Sequence, residues 1–97
     1  MKPPTLLVAV LALALAACTK KPTQAEADIA ACRVAIRATL TDPDSAQFEG
    51  EHLVAQDAHE RIYTLTVNAK NRMGGYAGRH DENCAILVST GKVDKVF

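Results

Sequence analysis

Tryptophan is absent from this 97-residue chain, and its aromatics are two Tyr and two Phe. That is too little ring surface for a base-stacking platform or an aromatic ligand cage. Net charge is missing too: eleven Lys and Arg balance eleven Asp and Glu. A nucleic-acid binder needs a basic face to neutralise phosphates, so that class is excluded. No apolar run approaches the roughly 20 residues of a membrane-spanning helix. The longest, Leu6 to Ala17, stops at twelve. The three His show no His-x-x-x-His spacing, and no Gly-x-x-x-x-Gly-Lys-Ser/Thr phosphate loop occurs.

What is present begins with an export signal. Met1-Lys2-Pro3-Pro4 is a short basic start, followed by the apolar run and an abrupt polar shift at Thr19-Lys20-Lys21-Pro22. Leu15-Ala16-Ala17-Cys18 resembles the lipobox of bacterial lipoproteins. The resemblance implies cleavage before Cys18, a diacylglyceryl group on its thiol and acylation of the new amino group. Residues 1–17 are then a signal peptide, 18–23 a lipidated tether and 24–97 a small domain. Because residues 1–17 hold only Lys2 among the charged residues, the mature chain has a net charge near −1. By the family's sorting rules, Thr19 rather than Asp after the Cys directs the protein to the outer membrane, facing the periplasm. Lys20 and Lys21 keep the inner membrane open, since retention rules differ between bacterial groups. The tether from Thr19 to Thr23 extends about 17 Å, so the domain is expected low on its membrane.

Thr23-Gln24-Ala25-Glu26 has the form of a capping box. Ile29, Cys32, Ile36 and Leu40 then recur at three- and four-residue spacings, with Arg33 and Arg37 off that stripe, and Pro43 stops the pattern. This predicts a helix over about residues 24–40. Strands are expected over 47–56, with Gly50 as a bulge, over 61–69, over 84–89 and over 93–97. In the second, Tyr63, Leu65 and Val67 share one face. The expected fold is α+β: one N-terminal helix on a three- or four-stranded antiparallel sheet.

With Cys18 assigned to lipid, Cys32 on the helix stripe and Cys84 at the opening of a strand remain in an oxidising compartment. They are expected to form one disulfide. The alternatives are two free buried thiols or a metal pair, and a metal would need more ligands than these Cys have nearby.

Candidate chemistry is sparse. His80-Asp81-Glu82 and His59-Glu60 are read as polar loop residues, Ser45 and Ser89 lack a nearby His and acid, and no cofactor or metal is implied. A small hydrolase using His80 and Asp81 is a remote option. The distinctive stretch is Val67 to Gly78, where Gly74, Gly75 and Gly78 surround Tyr76 while Lys70, Arg72 and Arg79 make the charge positive. It reads either as a wide hairpin turn or as a rigid loop that docks on a partner, through Lys70, Asn71, Arg72, Gly74, Gly75, Tyr76 and Arg79.

Asp42-Pro43-Asp44-Ser45-Ala46-Gln47-Phe48, with Val67-Asn68-Ala69-Lys70-Asn71 and Gly74-Gly75-Tyr76-x-Gly78, is similar to a family of small secreted or prophage-encoded bacterial proteins. The resemblance covers about residues 32–80 and transfers no activity. Many members carry a Cys before the Val-Asn step. Tyr63-Thr64-Leu65-Thr66 has none, so the bridge here need not be theirs. The functional expectation is a non-enzymatic envelope lipoprotein acting through protein contacts, as an accessory, inhibitor or immunity factor, or phage-exclusion protein. The alternative is a module that binds cell wall (peptidoglycan) or a small ligand.

Overall fold

A computed structural model describes residues 20–97. Residues 1–17, expected to be a signal peptide, and Cys18, expected to carry lipid, lie outside the described residues. Helix α1 (Gln24–Arg37) starts where the capping pattern places it, with the Thr23 hydroxyl accepting the Glu26 amide at 3.2 Å. It ends three residues earlier than the apolar spacing predicts. The Thr39 amide and hydroxyl both donate to the Ile36 carbonyl, which closes the last turn and diverts the chain. A 3-10 turn (Pro43–Ser45) leads into four strands: β1 (Gln47–Gln56), β2 (Glu60–Asn68), β3 (His80–Leu87) and β4 (Val93–Val96). The sheet is antiparallel in the order β1-β2-β3-β4.

One face of the sheet carries the core. Strand β2 alternates strictly, burying Arg61, Tyr63, Leu65 and Val67, and α1 covers them with Cys32 and Ile36. Phe48, Ile29, Leu40, Val93 and Val96 close the margins. The β1 register slips between Glu49 and His52, at the expected Gly50 bulge. Cys32 and Cys84 are joined in a disulfide, and neither is exposed to solvent.

Two expectations are corrected. Strand β3 begins at His80 rather than Cys84, so Cys84 sits in mid-strand and His80-Asp81-Glu82 is not a loop. Its polar first half is held by pairing with β2, from Val67 opposite His80 to Tyr63 opposite Cys84. Glu60, expected in a turn, opens β2. The turn before it is built on Asp57, whose carboxylate accepts the His59 and Glu60 amides at 2.8 and 2.9 Å. The Glu60 and His59 amides hold that carboxyl below its ordinary range.

The helix runs along the sheet in a defined direction. Asp28, near its start, meets Arg61 at the start of β2. Arg37, at its end, lies 5.0 Å from the centre of the Phe48 ring, and Phe48 pairs with Val67 near the end of β2. The chain therefore enters the fold at the end holding the β1–β2 and β3–β4 turns. The loop between β2 and β3 is at the other end.

Candidate functional site

The β2–β3 connection is a built structure. Lys70 and Tyr76 pair across it as an isolated bridge, and the Ala77 amide reaches the Ala69 carbonyl at 3.0 Å. Asn71 organises the tip: its side-chain oxygen accepts the Met73 amide at 2.9 Å, and its carbonyl accepts the Gly74 amide at 3.1 Å. Asn68 Oδ1 accepts the Gly78 amide at 3.1 Å. Gly74 and Gly78 have φ of 82° and 107°, conformations that side-chain-bearing residues rarely adopt.

The loop is also tied to a distant segment. Ser45 Oγ accepts the Lys70 amide at 2.8 Å while donating to the Asp42 carbonyl at 2.8 Å. The Tyr76 hydroxyl donates to the Ser45 carbonyl at 3.3 Å. The Asp42–Phe48 and Val67–Gly78 segments, far apart in the sequence, are thus two halves of one structure. Ser45 is its brace.

The seven sequence-predicted contact residues divide into two groups. Asn71, Gly74, Gly75 and Tyr76 build the loop, although Tyr76 remains 45% exposed. Lys70 Nζ lies over the Tyr76 ring at 5.7 Å from its centre, and Arg79 pairs with Glu49 at 2.8 Å. Arg72 is exposed and makes no ion pair among the described residues. Beside it, Met73 is 91% exposed, and the sequence reading overlooked it. Positive charge at the loop is smaller than the local sequence suggests. Glu49 neutralises Arg79. Lys70 and Arg72 remain.

The other candidates are not assembled into a centre. His80 Nε2 meets Glu82 at 2.9 Å, while Asp81, one residue along the strand, is on the opposite face and accepts from the Thr66 hydroxyl at 2.8 Å. His80 and Asp81 therefore do not act on a common point. His52 binds its own strand at the Gly50 carbonyl. Among the described residues, no three His, Cys, Asp or Glu side chains are grouped to hold a metal. A depression of about 60 Å³ lies between Gln47, Phe48, Glu49, Asn68 and Arg79. Small-molecule sites usually exceed roughly 300 Å³.

A buried polar cluster escaped the sequence reading. Asp28 accepts from Arg61 Nε and Nη2 at 2.7 and 3.1 Å and from the Tyr63 hydroxyl at 2.7 Å. All three residues are at most 5% exposed. Burial alone would raise the Asp28 carboxyl, but the bonds from Arg61 and Tyr63 outweigh it and hold the group below its ordinary range. Burial, then the Asp28 carboxylate, pushes the Tyr63 hydroxyl up. The signal was present: Asp28 stands four residues before Cys32 on the helix stripe, and Arg61 has the inward parity of Tyr63. With no buried side-chain polar atom left without a partner among the described residues, the cluster is a clamp between helix and sheet.

No family model, curated protein or solved structure matches this chain.

Proposed function

We propose that this protein is a lipid-anchored, periplasm-facing envelope component that works by contact rather than catalysis, with the 70–78 loop as its contact surface. The observation that carries this reading is the construction of the loop. Side-chain bonds from Ser45, Asn68 and Asn71 fix its backbone, yet Arg72 and Met73 are turned outward. Fixing a backbone in advance reduces the entropy lost on binding. The lipobox-like Leu15–Cys18 stretch supports the anchor, and Thr19 favours the outer membrane, with Lys20 and Lys21 keeping the inner membrane open.

The test is photo-crosslinking in intact envelopes, with the crosslinker at Met73 and, as control, at Lys95 on β4. A discrete adduct at Met73 alone is expected, to a protein or to cell-wall material. Adducts at neither position, from abundant oxidised protein, would remove the contact reading. Membrane attachment is checked separately, since Cys18→Ser should move the protein to the soluble fraction.

A further inference from the structure

We propose that the loop is the membrane-distal end of the molecule, and that its partner is the carboxylate-bearing peptide stems of the cell wall. This rests on the contact reading above and adds direction and chemistry to it. Direction follows from the fold. The chain enters α1 at the end where Asp28 meets Arg61, and the loop leaves β2 at Asn68. Seven residue steps of strand separate these ends by about 24 Å. A tether of about 17 Å joined to the first end cannot bring the loop to the anchor's membrane unless the domain lies flat or inverts.

Chemistry follows from the cations. Between Ala69 and Arg79 there is no acidic residue, and Lys70 and Arg72 have no carboxylate partner among the described residues. Tyr76 and Lys70 already stack on each other, so Arg72 is the free donor fork, with the apolar Met73 stem beside it. A guanidinium fork suits a carboxylate geometrically.

Size argues for a polymer. A stable protein interface involves about 20–30 residues a side, whereas Lys70 to Tyr76 supplies seven. A site this small holds firmly only when the ligand repeats and the protein is confined beside it. The cell wall repeats, and a lipid anchor confines the protein.

The experiment is sedimentation of the full lipidated protein, in detergent, with purified sacculi. The wild type should pellet, and Arg72→Glu should reduce the bound fraction by about threefold to tenfold. Lys92→Glu, in the turn at the far end, should leave it unchanged. Amidating the sacculus carboxylates should abolish wild-type binding. Wild-type protein that stays in the supernatant, or that pellets equally with amidated sacculi, overturns the cell-wall partner. So does equal pelleting of folded Arg72→Glu. A protein adduct from the Met73 crosslinker without sedimentation leaves the contact reading standing and refutes this one. No adduct and no sedimentation refutes both.

Discussion

Replacing Asp28 by Ala tests whether the buried cluster is the clamp described above. The substitution removes the acceptor of two bonds from Arg61 and one from Tyr63 and leaves a guanidinium under the helix without its counter-charge. Breaking one side of a buried ion pair generally costs about 3–5 kcal/mol. The clamp sits at one end of a thin two-layer fold, where water is close, so the expected loss is about 3 kcal/mol. In a domain of this size that lowers Tm by roughly 12–24 °C. Tyr63→Phe removes a single bond to a charged acceptor and should cost about 1.5 kcal/mol. The Asp28 carboxyl ionises at lower pH in the fold than in the unfolded chain. Its contribution is therefore complete above the unfolded value, about 3.9, and is lost as pH falls through the folded value. Thermal melts of wild type, Asp28→Ala and Asp28→Asn from pH 7 down to pH 2 measure both effects. A melting temperature for Asp28→Ala within about 3 °C of wild type would refute the clamp. An acid limb as steep in Asp28→Asn as in wild type would refute the assignment of the acid transition to this carboxyl.

Two further perturbations address the other ties. Opening the Cys32–Cys84 bridge, which spans 52 residues of sequence, should remove about 4 kcal/mol on the chain-entropy model. Urea melts with and without reductant check this, and superimposable curves with the thiols demonstrably free would contradict it. Ser45→Ala leaves the Lys70 amide without its acceptor and should cost about 1 kcal/mol. It should also speed hydrogen exchange at Lys70 while amides in β2 stay protected. Unchanged exchange at Lys70 would show that Ser45 does not brace the loop.

What could be read from the sequence was what repeats locally. The stripe of Ile29, Cys32 and Ile36 and the alternation of Tyr63, Leu65 and Val67 follow directly from helix and strand periods. Once both cysteines lie on inward faces, their bridge follows. The first half of β3 could not be read this way. His80-Asp81-Glu82-Asn83 has no apolar alternation and is a strand because β2 lies beside it, with Thr64 bonding Asn83 and Thr66 bonding Asp81 across the open face. The site shows the same division. Glycine spacing marks the loop, but its brace comes from Ser45, 25 residues before Lys70, and no local pattern joins the two. Asp28 and Arg61 were hidden for a different reason: charged residues on an apolar stripe read as interruptions until each supplies the other's partner.

These ties also explain how so small a core can hold a defined shape. Among the described residues nine apolar ones are buried, close to the limit of what a domain of about 80 residues assembles without covalent or polar help. The reinforcement is spread along the long axis. The Asp28 clamp is near the chain's entry, the Cys32–Cys84 bridge is at the middle of the helix, and Ser45 is at the foot of the loop. A fold selected only for survival could concentrate such reinforcement anywhere. Distributing it from entry to tip stiffens the path between them, and the proposed contact role would need that stiffness to hold Arg72 and Met73 at a fixed height above the proposed anchor. Loosening the brace at Ser45 should then weaken capture at Met73 more than loosening the Asp28 clamp does, although the clamp carries more of the stability. Stability and contact should therefore separate along the molecule, and a variant series that moved both together would count against the loop as the working end.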